Sequence, residues 1–126
     1  MPVPVDTQEP KTEIVRELDI PGYIESESTK LGLDGHLTSS IAFCESTHRQ
    51  FEEDTNIPLR GIENSFDVGI FQINEQFHLT KSQSLGYDIY TPEGNVGYAL
   101  WLIQNEGTKH WNASKDCWSQ RIANNA

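Results

Sequence analysis

Residues 41–74, IAFCESTHRQFEEDTNIPLRGIENSFDVGIFQIN, hold the reading of the fold. An apolar helical segment closes on Cys44-Glu45-Ser46, a polar stretch follows, and the chain returns to apolar sequence through Phe66-Asp67-Val68-Gly69-Ile70-Phe71-Gln72-Ile73-Asn74. Glu45 and Asp67 therefore stand at the two mouths of one loop. Paired carboxylates suit cleavage of a glycosidic bond: one protonates the leaving oxygen and the other meets the oxocarbenium-like transition state.

Upstream, Asp34 is a good N-cap for the helix that carries Glu45, with Leu37, Ile41 and Cys44 at i, i+4 and i+7 as its buried stripe. Glu45 then lies beside the apolar face, in partly dry surroundings. A general acid needs this, because an ordinary carboxyl is ionised at neutral pH and has no proton to give. A preceding helix is expected from Pro21 or Gly22 to Leu31, broken by Gly32-Leu33, after a short apolar-acidic segment at residues 14–20.

Residues 46–66 have no sustained periodicity, and an aperiodic stretch of that length usually has a function or holds short strands. Pro58, Gly61 and Asn64 punctuate it, so residues 59–62 are expected to form one strand of a small hairpin that walls a cleft. Glu52, Glu53, Asp54 and Glu63 read as a solvated face. They lack the alternating acidic and glycine spacing of a calcium loop, so no metal is expected.

Downstream, Thr91-Pro92 opens a further helix, Thr91 as N-cap and Pro at the first helical position. Its run from Gly94 to Ile103 is apolar nearly all round, which makes it central. His110-Trp111 and Cys117-Trp118 close the chain.

With 126 residues, the chain has room for one domain and one core. Its 36% hydrophobic and 22% charged residues are those of a globular chain, and no run approaches the roughly 18 apolar residues of a membrane span. The net charge of −10 argues against nucleic acid and anionic membranes as partners. Residues 1–12, Pro-rich and acidic, read as a disordered linker or tail, leaving 13–126 as the domain. Neither a basic start nor an apolar h-region marks a signal peptide. The expectation is a module of a longer exported polypeptide, or a phage particle component released without a signal.

Glu45-Ser46 at a helix end, then a loop, then Gly69-Ile70-Phe71-Gln72-Ile73-Asn74, resembles the lysozyme-like superfamily of soluble lytic transglycosylases, resuscitation-promoting factors and animal lysozymes. The resemblance spans roughly residues 20–120. Asp67, two residues before Gly69, is similar to the animal lysozyme pattern; transglycosylases usually carry a small residue there. It implies an α+β fold, mostly α, with a small β-hairpin lobe, acting on peptidoglycan glycan strands as a cofactor-free monomer in an extracellular, periplasmic or wall-associated setting.

In that resemblance Glu45 is the general acid and Asp67 the nucleophile or electrostatic partner. Gly69 lets sugar approach the backbone, and Ser46, Gln72 and Asn74 contribute to substrate binding. Asn95 supports the acid or binds sugar, and Tyr98 does so more weakly, tyrosines on such helices often being core. Trp111 dries the acid, stacks on a pyranose ring, or simply packs, and His78 sits on the rim. Because the C-terminal segment of such folds returns behind the acid-bearing helix, it also implies a Cys44–Cys117 disulfide in an oxidising compartment. Two free buried thiols are the alternative. The acidic charge suits a tethered enzyme, or one that trims its host's own wall, better than a freely secreted lytic protein, although it also simply confers solubility.

Overall fold

A computed structural model describes residues 19–124. The expected tail at 1–12 lies outside the described residues, as does most of the apolar-acidic segment at 14–20.

Helix α1 spans Ile20–Lys30, with Pro21 in its first turn. It ends as the sequence predicts: Gly32 takes φ +75°, and Leu33 N–H reaches back to the Ser28 carbonyl at 2.9 Å. Helix α2 spans Gly35–Ser46, and Asp34 caps it by accepting from His36 and Leu37 N–H at 3.0 and 3.3 Å. The expected stripe of Leu37, Ile41 and Cys44 is only partly observed. Ile41 is fully buried, but the rest of the buried face is small and largely polar: Thr38, Ser39, Ser40, Ala42 and Ser46. Small residues let α1 lie close, and the Ser28 and Thr38 hydroxyls pair at 2.7 Å between the helices.

Beyond α2 the chain turns through two residues in the left-handed region, Thr47 (φ 55°) and His48 (φ 64°). The β element is a two-stranded antiparallel pair, β1 (Asp67–Val68) and β2 (Ile73–Asn74), with Asp67 opposite Asn74 and Val68 opposite Ile73. The strand predicted over 59–62 is reduced to a single bridge, Arg60 with Val68, flanked by Gly69 N–H on Leu59 O and Gly61 N–H on Asp67 O. This loop edges the hairpin and is not one of its two strands. Its acidic residues Glu52, Glu53, Asp54 and Glu63 are exposed, as expected of a solvated face.

Helix α3 spans Glu75–Ser84 and is capped by Asn74; α4 spans Pro92–Glu106, with Thr91 Oγ1 accepting from Gly94 N–H at 3.0 Å. A 3-10 helix, Lys109–Ser114, leads into α5, Lys115–Asn124. The fold is thus mostly helical with one small sheet. As expected, α4 is central: Val96, Tyr98, Ala99, Leu100 and Leu102 join Ile24, Ile41, Ile70 and Phe71 in one core. Gly94 and Gly97 are required there, since a Cβ would meet the Asp88 backbone and, at 2.7 Å, the Tyr87 ring.

Helix α5 packs against α2, and the Cys44–Cys117 disulfide joins them with Cα atoms 6.0 Å apart. In the chain-entropy model, closing a loop of 73 residues stabilises the fold by about 4 kcal/mol. Among the described residues, no helix is long and apolar enough to cross a membrane.

Candidate functional site

The turn between β1 and β2 buries the Ile70 and Phe71 side chains in the core, and its main chain is held by buried polar side chains from distant parts of the sequence. Gln50 accepts from Ile70 N–H at 3.0 Å and donates to Ile89 O at 3.1 Å. Asn95 accepts from Phe71 N–H at 2.8 Å and donates to Val68 O and Ile89 O, each at 2.9 Å. Ser46 Oγ donates to Ile70 O at 2.7 Å, and the Trp111 indole N–H donates to Phe71 O at 2.9 Å. Helices α2 and α4, the 46–66 loop and the 3-10 helix thus all grip one turn. Buried amides and carbonyls must find partners, so this turn has one favourable position.

The consequence is the placement of two carboxyl groups. Glu45, in the last turn of α2, and Asp67, opening β1, line both halves of a continuous cleft of about 290 and 480 Å³. The smaller half adds Phe77, His78, His110 and Trp111; the larger adds Arg49, Ile62, Glu63 and Ser114.

Glu45 is partly buried, and Ser114 Oγ donates to its Oε2 at 2.7 Å. Burial raises its pKa above the ordinary glutamate value; the Ser114 hydrogen bond opposes this, and the nearby Asp67 charge adds to it. Asp67 is also raised by burial, against a hydrogen bond at 3.1 Å from Asn74 Nδ2 to its Oδ1. Two carboxyls that share a cleft and resist ionisation are suited to proton transfer.

Gln72 lines both halves from a left-handed backbone (φ 51°), its Nε2 on Gly69 O at 3.0 Å. Asn74 lines the smaller half, but its amide is engaged at both ends: the oxygen caps α3 through Gln76 and Phe77 N–H, and the nitrogen holds Asp67. Asn74 therefore orients the second carboxylate. Trp111 is 3% exposed and spends its N–H on Phe71, so it offers the cleft an apolar wall.

Two expected substrate-binding residues are placed otherwise. Asn95 and Tyr98 are fully buried and reach no sugar; Asn95 holds the turn, and the Tyr98 hydroxyl pairs with His78 Nδ1 at 2.8 Å. Ser46 lines the larger half of the cleft as expected, but its hydroxyl is engaged: Oγ donates to Ile70 O and accepts from Arg49 N–H at 3.0 Å. Gly69 does not admit a sugar either. It is buried, and a Cβ there would meet the amide groups of Asn95 and Gln50 at 2.5 Å. Its role is to let those amides close on the turn.

Sequence reasoning passed over Ser114, Gln50, Phe77 and His110. Only Ser114 carried a signal: it lies three residues before Cys117, whose bridge partner adjoins Glu45. Phe77 is 79% exposed at the cleft and presents an aromatic face to solvent. Among the described residues, no group of three or more His, Cys, Asp or Glu side chains is placed to hold a metal ion.

No family model matches the sequence, and neither the curated proteins nor the solved structures compared with it gave a match.

Proposed function

We propose that this chain is a lysozyme-like muramidase that hydrolyses the β-1,4 bond between N-acetylmuramic acid and N-acetylglucosamine in peptidoglycan. The observation that carries the reading is Glu45: a carboxyl lifted by burial, oriented by Ser114, in a cleft shared with a second carboxylate. In this reading Glu45 donates its proton to the glycosidic oxygen as the bond to the anomeric carbon breaks. Asp67 stabilises or captures the cationic centre, water adds to that carbon, and its proton returns to Glu45. Phe77 and Ile62, exposed on the two halves of the cleft, supply apolar surface for sugar rings.

A second reading, lytic transglycosylation, is favoured by the burial that also raises Asp67 and weakens it as a standing anion. There the muramic 6-hydroxyl attacks the anomeric carbon, Glu45 acting first as acid and then as base, to leave a 1,6-anhydro end. The disulfide suits an oxidising, exported setting for either reaction.

Digestion of purified peptidoglycan, with the sugar ends identified by mass spectrometry, tests both. Hydrolysis predicts reducing ends, reduced about 10²–10⁴-fold in Glu45→Gln and strongly in Asp67→Asn. Anhydro ends that survive Asp67→Asn assign the transglycosylase. Absence of any Glu45-dependent product removes the enzyme and leaves a glycan-binding or assembly module on this fold.

A further inference from the structure

The cleft is acidic where the chemistry would occur, and the chain as a whole carries −10. An anionic substrate is repelled by both unless a fixed positive charge meets it. Two basic side chains line the larger half of the cleft, Arg49 and Arg60. Arg60 is already committed: its Nη1 lies 2.6 Å from Glu75 Oε2 and also donates to Ser65 O at 3.1 Å.

Arg49 makes no ion pair among the described residues. Its position is nonetheless fixed. The left-handed pair Thr47-His48 turns the chain back over the end of α2, and Arg49 N–H closes the turn on Ser46 Oγ at 3.0 Å. Its Nε donates to Ser46 O at 3.1 Å and Thr47 Oγ1 at 3.0 Å. Those bonds use the inner N–H and leave the terminal amino groups, which a carboxylate can take in a fork-to-fork pair. Arg49 lines the larger half of the cleft and not the smaller, so its charge is offered to a substrate group on that side.

We infer that Arg49 is a specificity residue that binds a carboxylate carried by the glycan, so that the cleft selects muramic-acid-containing strands over neutral N-acetylglucosamine polymers. This deepens the muramidase reading and rests on it for the substrate class. The carboxylate belongs either to the lactyl ether or to a short stem peptide attached to it.

The test is a binding cycle in the Glu45→Gln background, which halts turnover, with and without Arg49→Gln. The probes are a muramic-containing tetrasaccharide with free lactyl carboxyls, its methyl ester, and the same sugar bearing a stem dipeptide. Arg49→Gln is expected to weaken binding of the ligand that carries the recognised carboxylate about 10- to 100-fold, the usual worth of a charge-assisted hydrogen bond, and to leave the ester unchanged. Arg49→Lys, which keeps the charge and loses the fork, should recover part of the discrimination. Weakening of the free acid but not of the dipeptide ligand, whose lactyl carboxyl is consumed in the amide, places the recognised carboxylate on the lactyl group; weakening of the dipeptide ligand but not of the free acid places it on the stem, and equal weakening of both means that either carboxylate reaches Arg49. Equal weakening for the ester and the carboxylate-bearing ligands, no weakening for either the free acid or the dipeptide ligand, or no binding of either of those two overturns the inference. The muramidase reading fails separately, on the absence of Glu45-dependent products from the parent protein.

Discussion

Replacing Asn95 by alanine removes the side chain that fixes the turn between the two strands. Phe71 N–H, buried and paired with Asn95 Oδ1 at 2.8 Å, is left without a partner at about 1–3 kcal/mol. The bonds to Val68 O and Ile89 O add about 0.5–1.5 kcal/mol each, for a total of roughly 2–6 kcal/mol. That is a large part of the roughly 5–15 kcal/mol that holds a small domain together. Asn95→Asp tests the assignment more sharply, since it keeps the acceptor toward Phe71 and turns an oxygen toward two carbonyl oxygens. As a carboxylate it repels them; as a neutral acid it can donate to one. Its folded pKa is therefore raised, so its stability is present below the unfolded value near 3.9 and lost as pH rises through the folded one. Urea unfolding followed by tryptophan emission at pH 7 and near pH 4.5, each against the parent, reads both effects. Asn95→Asp should approach Asn95→Ala at pH 7 and recover toward the parent at the lower pH. A loss below about 1 kcal/mol for Asn95→Ala, or a pH-independent deficit for Asn95→Asp, would refute the network as the element that holds the turn.

Other outcomes follow from the same geometry. Glycan cleavage should show a bell-shaped pH profile, its alkaline limb set by loss of the Glu45 proton and its acid limb by protonation of Asp67. Both limbs should lie above ordinary carboxyl values, and Glu45→Gln and Asp67→Asn identify which residue governs each. Because burial raises Glu45, ionising it opposes folding, and its contribution falls as pH rises from the unfolded to the folded pKa. Glu45→Gln should therefore unfold at higher temperature than the parent at pH 7, by the equivalent of about 0.5–2 kcal/mol, while losing activity; an unchanged or lower melting temperature counts against a desolvated acid. Cys44→Ser with Cys117→Ser should cost about 4 kcal/mol in urea unfolding, and a cost near zero would mean that α2 and α5 hold without the bridge.

The parts of the fold with local chemistry were legible in the sequence. Asp34 and Thr91-Pro92 announce their helices because a cap acts within one turn, and the apolar run of α4 announces burial. Helix α3 carries little pattern: Ser82 is its buried residue, and the remaining positions are exposed or only partly covered. It is held by tertiary packing rather than by an apolar stripe, and Asn74 reads equally well as a cleft residue and as the α3 cap it is. The site was legible where it uses charge, at Glu45 and Asp67. It was obscure where it uses neutral polar groups, because whether Asn95, Ser46 or Gln50 faces the cleft or main chain depends on a turn that is remote in sequence. Ser114 shows the same limit, standing 69 positions from the carboxyl it contacts.

The grip on the turn from Val68 to Phe71 has a consequence for how this protein can change. The buried partners recognise peptide groups, which every residue type carries, rather than the side chains displayed to the cleft. A cleft-facing side chain that holds no framework group can therefore be exchanged at less cost than Gln72, which bonds Gly69 O from a left-handed backbone, or Asp67, which is tied to Asn74. Selection, natural or in the laboratory, has a rigid stage on which the surface facing the ligand can be rewritten one position at a time.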